Sequence, residues 1–299
     1  MEPQKYKIGI DLGGTKTEII LLNPSDKEIY RKRIQTPVSS GYEAIIKSLY
    51  DLICDTANNV PTEHDYTIGI GIPGSVNLDT GLIQNANTTC LIGKPLKKDI
   101  EHLLGRKTGI ENDANCFTVA ESVKGAAKAY GLVFGVIMGT GCGGGICIDK
   151  KIRRGNHSIA GEWGHFSVDP DGAKCYCGNR GCIETRISGG GVEAAYHAEY
   201  GRSISMKNIV EGFRNNEPSC VSIFESFLDD YGRCLGGLIS ILDPDAVVIG
   251  GGLSNIPELY TKGYERIIKY AFHNKIKTPV LQNRLGDSAG VYGAAWIGK

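Results

Sequence analysis

The chain has 299 residues, of which 41% are hydrophobic and 22% charged, with 33 basic side chains set against 33 acidic ones. That composition is globular, and the absence of a basic surplus excludes nucleic acid or an anionic membrane as the main partner. No apolar run reaches the ~20 residues of a membrane span and Met1–Lys7 does not read as a signal peptide, so a cytoplasmic protein with no membrane partner is expected.

The chain opens as strand, glycine turn, strand, polar turn, strand: Tyr6–Ile10, Asp11–Lys16, Glu18–Leu22, Asn23–Asp26 and Glu28–Ile34. Short apolar runs bounded by Gly, Pro and Asn carry this reading. Ala44, Ile45, Leu49, Leu52 and Ile53 recur at helical spacing over Tyr42–Asn58, and a strand follows at Thr67–Ile72, closed by Pro73-Gly74. Lys107–Glu111 then leads through Asn112-Asp113 into a predicted helix, Ala114–Ala127.

The opening pattern returns once. Val133–Met138 reads as a strand, Gly139–Gly145 as a glycine turn, Ile146–Ile148 as a strand and Asp149–Lys151 as a polar turn. A third strand meets glycine where Ala246–Ile249 runs into Gly250–Gly252, and the tail Gly290–Gly298 is expected to fold as a helix back onto the first lobe. This weak internal repeat predicts two related α/β lobes facing each other across a cleft, since single cores stop growing near ~250–300 residues. The predicted partition is 1–113, completed by 286–299, against 114–285 with a metal-binding loop over 165–182.

Glycine turns let backbone N–H groups approach an anion, and Asp11-Leu-Gly-Gly-Thr-Lys16 adds a carboxylate suited to Mg²⁺. Gly139, Gly141 and Gly144 satisfy G-x-G-x-x-G, but a strand rather than a helix follows, so the dinucleotide reading is poor; there is no P-loop either. Two phosphate-type turns plus Gly250–Gly252 favour a nucleoside triphosphate. Asp113 sits where strand gives way to helix: as a carboxylate it is a candidate general base, or simply a helix cap. Asn112 offers an amide to sugar hydroxyls. Cys175, Cys177 and Cys182 form C-x-C-x₄-C with His165 upstream, a donor set for a closed tetrahedral Cys₃His zinc site, with a disulfide as the alternative.

These segments resemble the ROK family of bacterial sugar kinases, within the actin-like ATPase superfamily of ribonuclease H-like fold. The matching stretches are Gly9–Lys16, Gly71–Gly74, Asn112–Asn115, Gly139–Gly141, Gly161–His165, Cys175–Glu184, Asp243–Asp245 and Gly250–Gly252, and they run nearly end to end. The resemblance implies a hexose kinase using ATP and Mg²⁺ with a structural Zn²⁺, often a homodimer, transferring phosphate to the 6-hydroxyl. It implies Asp113 as general base, with Gly74, Asn87, Asn112, Glu162, His165 and Glu184 around the sugar. His165 would serve zinc through one ring nitrogen and sugar through the other. Gly9, Asp11, Gly13, Gly14, Thr15 and Lys16 would hold phosphates or, at Asp11, magnesium through water. Gly139, Thr140, Gly141, Cys142 and Gly143 would form the second phosphate turn, and Gly251 and Gly252 would lie by the adenosine.

Thr15–Glu18, Gln84–Thr88, Glu121 and Gly286–Trp296 resemble the fructokinase branch most, so fructose is the expected acceptor; N-acetylglucosamine kinases and glucokinases share many of the same segments. Cys90 stands where close relatives tend to have Trp. The family also contains repressors, but the first strand at Tyr6 leaves no room ahead of it for a DNA-binding module. A non-catalytic sugar sensor is the other alternative, opposed by the joint presence of Asp113 and both phosphate turns.

Overall fold

The structure is a computed structural model and describes residues 5–273 and 275–299. The chain divides into two compact units: Met1–Ala120 with Ile152–Ala160 and Asp287–Lys299, and Glu121–Lys151 with Gly161–Gly286. This differs from the sequence partition. The division falls inside a helix rather than at residue 113, and the 152–160 segment joins the first unit, where Arg154 pairs with the buried Glu111.

The first unit is built on strands β1 (Tyr6–Leu12), β2 (Lys16–Leu22), β3 (Glu28–Gln35) and β4 (Tyr66–Ile72), a short β5–β6 pair (Ser75–Val76, Ile83–Gln84), and β7 (Gly109–Asn112). The main sheet runs β3-β2-β1-β4-β7, antiparallel among the first three and parallel from β1 through β4 to β7. Its two faces have different chemistry because side chains alternate. Ile8, Ile10, Ile68, Ile70 and Ile72 join the larger core with Ile45, Leu49 and Ile53 of helix α1 (Tyr42–Ala57) and Ile100 of α2 (Leu96–Leu104). The opposite face carries Gly9, Gly69 and Gly109, paired in register across three strands. The C-terminal helix, Ala289–Ile297, lies on that row. A Cβ on these glycines would fall 2.3 Å from Val291 O, 1.9 Å from Ala294 O and 2.1 Å from Ile297 O. The glycines thus let helix backbone meet sheet backbone, with Val291 and Ala295 packing on Ile20 and Leu22 beside them.

The second unit repeats the strand order. β8 (Leu132–Met138), β9 (Cys142–Ile148), β10 (Lys151–Ile152), β11 (Ala246–Gly250) and β12 (Val280–Gln282) form a sheet in the order β10-β9-β8-β11-β12. β8 pairs antiparallel with β9 and parallel with β11, which pairs parallel with β12. Helix α3 (Asp113–Val123) follows β7 and crosses the division of the chain. The second unit adds α4 (Ile183–Ile187), α5 (Gly189–Tyr200), α6 (Met206–Arg214), α7 (Pro218–Leu242) and α8 (Lys262–Tyr270). Phe224, Phe227, Leu228, Tyr231 and Leu235 line one face of α7 and anchor this unit's core with Val247 and Ile249 of β11.

Two expectations are corrected here. Gly143, Gly144 and Gly145 are not turn residues: they are already in β9, pairing with Ile137, Val136 and Gly135. The turn is only Gly139–Gly141, closed by the Gly139 N–H donating to Gly141 O at 3.0 Å. Helix α3 stops at Val123 rather than Ala127, because the Glu121 carboxylate accepts the Ala126 N–H at 2.7 Å and turns the chain.

Candidate active site

On the first unit the candidate groups gather at the carboxyl ends of β1, β4 and β7. The Asn112 side chain caps α3: its Oδ1 accepts the Ala114 N–H at 2.9 Å, and its amide donates to Gly74 O at 3.3 Å. Capping therefore falls to Asn112, and Asp113 is the first residue of the helix, its Oδ1 accepting the Ala114 N–H at 2.8 Å. That bond orients a half-buried carboxylate at the junction of β7 and α3. Beneath it, buried Glu111 accepts from the Arg154 guanidinium, from Asn115 Nδ2 at 3.1 Å and from the Asn112 N–H at 3.2 Å.

Asp11, the penultimate residue of β1, has its carboxyl pushed up to about 7, first by burial and then by the charges of Asp113 and Glu18, with Arg33 opposing. Two carboxylates repelling each other in a poorly solvated place suit a cation. The following turn is tight, with the Gly13 N–H donating to Lys16 O at 3.0 Å, and Gly14, Thr15 and Lys16 are exposed. Gly9 does not belong with them: it is buried under the C-terminal helix, so its role is packing. Gly74 is buried with no room for a Cβ against Ala86 and Gln84 O, while Asn87 is exposed and donates its N–H to Pro73 O at 3.1 Å.

On the second unit, the Gly139–Gly141 turn is gripped from two sides. The Gly189 and Gly190 N–H groups at the start of α5 donate to Gly139 O at 2.8 Å and Thr140 O at 3.1 Å. Glu184 Oε2 accepts the Cys142 N–H at 2.9 Å, and a Cβ on Gly141 would lie 2.6 Å from that oxygen. The assignment of Cys142 to a phosphate is thereby corrected, since its N–H already serves Glu184 and its side chain is buried in the core. Gly143 O likewise accepts the Trp163 indole N–H at 3.2 Å. Gly251 adopts φ +78° behind Met138 O, whereas Gly252 faces open space. A cavity of about 530 Å³ opens beside the start of α5, walled by Gly190, Glu193, Ala194, His197, Ser203 and Ile204. The sequence reading missed it, because these residues converge only through the packing of α5 on the segment after it.

Glu162 leads into the short turn Trp163–His165. Burial raises its carboxyl above the usual range, His165 opposes this, and Glu184 adds to it, so the three groups share one neighbourhood. His165, Cys175, Cys177 and Cys182 place their ligand atoms within 4.8 Å of one another. Cys175 Sγ lies 3.6 Å from His165 Nδ1, and Cys177 Sγ 3.6 Å from Cys182 Sγ. Zn–S bonds of about 2.3 Å in a tetrahedron put sulfurs just under ~4 Å apart, so this donor set fits zinc. None of the described cysteines is in a disulfide. The loop folds on glycine: Gly178 and Gly181 take φ +98° and +58°, and the Cys175 N–H donates to Asn179 O at 2.8 Å.

His165 Nε2, the nitrogen turned away from the cysteines, lies 3.0 Å from the Tyr176 hydroxyl, with the two rings edge to face at 5.0 Å. Tyr176 is a residue the motif reading passed over, because the position between the first two cysteines carries no chemical signature. Its hydroxyl is pushed up to about 12, first by burial and then, in order, by the charges of Glu184, Cys175, Glu162 and Cys177.

Two units with mixed five-stranded sheets of the same strand order, glycine turns after the first strand of each, and a carboxylate at a strand–helix junction define an α/β protein of the actin-like ATPase class. Residues 7–299 match the profile of the ROK family, and the chain belongs to it. It is 37% identical over 301 residues to an N-acetyl-D-glucosamine kinase of Yersinia pseudotuberculosis, covering 97% of each chain. Among solved structures, it resembles the ROK hexokinase from Thermus thermophilus at 28% identity and TM-score 0.88, covering 98% of this chain and 97% of that one. It also resembles a ROK family glucokinase from Streptomyces griseus, solved with glucose and AMPPNP, at 30% identity and TM-score 0.76, covering 98% and 99%. The chain is thus a ROK sugar kinase, a phosphotransferase with an alcohol acceptor. The expected fructose preference finds no support in these relatives. No helix among the described residues is long and apolar enough to cross a membrane.

Proposed function

We propose that the chain phosphorylates N-acetylglucosamine at the expense of ATP, with Asp113 as the general base. The observation that carries the base assignment is the place of Asp113: a half-buried carboxylate at the junction of β7 and α3, oriented by the Ala114 N–H and close enough to Asp11 to raise that carboxyl. The acceptor class is supported by the names of relatives aligned along nearly the whole chain. In the reaction, the sugar's 6-hydroxyl oxygen forms a bond to the γ-phosphorus and its proton passes to Asp113. The bond from γ-phosphorus to the bridging oxygen breaks, and ADP leaves. The protein's part is mainly positioning and charge neutralisation.

Asp11 would hold Mg²⁺ through water, which would neutralise phosphate charge; the repulsion between Asp11 and Asp113 is what a cation would relieve. The exposed Gly13–Lys16 turn and the Gly139–Gly141 turn would receive phosphates, and the cavity beside α5 has the size for a nucleoside. Glu162 and Glu184 would accept from sugar hydroxyls. A structural zinc at His165, Cys175, Cys177 and Cys182 would hold the loop that carries them, with no open coordination position.

The test is an ATP-consumption assay with Mg²⁺ against N-acetylglucosamine, glucose, mannose and fructose, with identification of the product. N-acetylglucosamine should lead; fructose leading would overturn the acceptor assignment. Asp113→Asn should lower kcat by about 10²–10⁴-fold while sugar binding persists. Turnover near the unsubstituted rate in that variant would refute the base.

A further inference from the structure

We infer that Arg154 is a positioning residue for phosphoryl transfer: through Glu111 it holds the end of β7 that carries Asn112 and Asp113. This rests on the reading of Asp113 as the base proposed above and extends it to a residue 41 positions away in sequence. All the contacts lie within one compact unit. β7 is an edge strand, paired on one side with β4, so no second ladder steadies its end. A side chain does so instead. Glu111 Oε1 accepts the Asn112 N–H at 3.2 Å and Asn115 Nδ2 at 3.1 Å, tying the last residue of the strand to the first turn of α3. Asn115 depends on this bond, because its buried Oδ1 has no hydrogen-bond partner among the described residues.

The other oxygen of Glu111 is taken by Arg154 Nε. The surroundings of the two partners differ: the Glu111 side chain is 8% exposed and that of Arg154 43%. An ion pair open to water on both sides would matter little, but loss of this guanidinium strands a carboxylate that is out of solvent. The relief open to that carboxylate is to swing toward water, and the movement drops both the Asn112 N–H and the Asn115 amide. Asp113 follows Asn112 by one peptide, so its carboxylate shifts with the junction. Arg154 itself stands on a closed turn, its carbonyl accepting the Ala160 N–H at 3.1 Å after Gly155 takes φ +75°.

The experiment compares Arg154→Met, Arg154→Lys and a double variant joining Arg154→Met to Glu111→Gln, each assayed with ATP and Mg²⁺ against N-acetylglucosamine and glucose. Methionine keeps the apolar stem and removes the charge. In Arg154→Met, kcat should fall by about 10–100-fold while Kd for ATP stays within about 2-fold, and Arg154→Lys should recover part of the loss. The double variant decides the matter. A neutral amide at position 111 has no charge to strand and keeps an oxygen for Asn112 and Asn115, so kcat should return to within about 5-fold of the unsubstituted rate. A merely structural Arg154 predicts no such rescue. The proposal is overturned by an unchanged kcat in Arg154→Met, by a double variant no faster than the single one, or by an Arg154→Met protein that fails to fold or to bind ATP. Failure of the underlying reading looks different: the unsubstituted protein would turn over neither sugar, or Asp113→Asn would keep its rate.

Discussion

Asn112 and Asp113 adjoin in sequence, yet the first turn of α3 gives them separate tasks. Either could cap a helix by residue type, and capping falls to Asn112 because it precedes the helix and its Oδ1 reaches the N–H groups of both Ala114 and Asn115. Glu121 shows the same dependence on context more sharply. It is fully buried, and its two oxygens accept N–H groups from Ala126 at 2.7 Å, Leu285 at 2.9 Å and Arg284 at 3.1 Å. Three backbone donors would be left unpaired by truncation, so Glu121→Ala should cost about 3 kcal/mol or more, read as a fall in the urea midpoint. Glu121→Gln keeps the shape but supplies only one acceptor oxygen, and it should recover part of the loss. A midpoint unchanged in both variants would show the buried carboxylate to be dispensable. In sequence, Glu121 reads only as a family marker, because a carboxylate's burial depends on what later packs over it.

At the level of elements, the seat of the C-terminal helix is written in β4, whose Ile-Gly-Ile-Gly-Ile alternation puts isoleucines into one core and a flat surface under the helix. Gly69→Ala would drive its Cβ to within 1.9 Å of Ala294 O, and backbone cannot yield as a flexible side chain can. A loss above about 3 kcal/mol is expected by thermal or urea unfolding. Gly237, inside α7 with no atom within 4 Å of a new Cβ, should respond in the opposite sense. Gly237→Ala is expected to gain roughly 0.5–1 kcal/mol from helix propensity. If the two variants behave alike, the contrast in packing is not what governs them.

The seam between α7 and α8 carries charge. Burial alone would raise the Glu225 carboxyl, but bonds from Lys262 at 3.2 Å and Arg266 at 2.9 Å bring it below its usual 4.5. Arg214, paired with Glu258 at 2.8 Å, lowers that carboxyl too. Since the folded values lie below the unfolded ones, this stabilisation is complete above pH ~4.5 and is lost as pH falls through the folded values. Both pairs are partly solvated, so each is worth about 0.5 kcal/mol. Glu225→Gln should therefore lose little at pH 7, and its deficit should shrink as unfolding curves are taken at pH falling below 4.5; a deficit that does not shrink has another origin.

For the molecule as a whole, zinc is the test of how the second unit's loop is held. The 165–182 stretch is short of regular structure: it has one 3₁₀ turn at its start and isolated bridges at Ser167–Cys182 and Lys174–Arg180. A cross-link between His165 and the three cysteines would replace the missing core. Elemental analysis should find about one zinc per chain, and a strong chelator should lower Tm and weaken sugar binding through Glu162 and Glu184. Protein free of zinc with an unaltered Tm would show that the loop stands without it.

The sequence by itself determined the α/β class, the repeated strand–glycine–strand opening, the Cys₃His donor set and the candidate base, because each rests on spacing along the chain or on rare residue types. Strand periodicity and glycine placement are local properties, and they survive folding. Tertiary structure decided what depends on neighbours far apart in sequence. Gly9 looked like part of a phosphate turn until the C-terminal helix was laid across it, and Cys142 offered an N–H that Glu184, from another element, already takes. The long helix α7 left no motif to find. Tyr176, at a position the C-x-C pattern leaves unspecified, acquires meaning only when the loop closes and sets its hydroxyl against His165, since a contact between side chains is a property of the fold and not of the spacing.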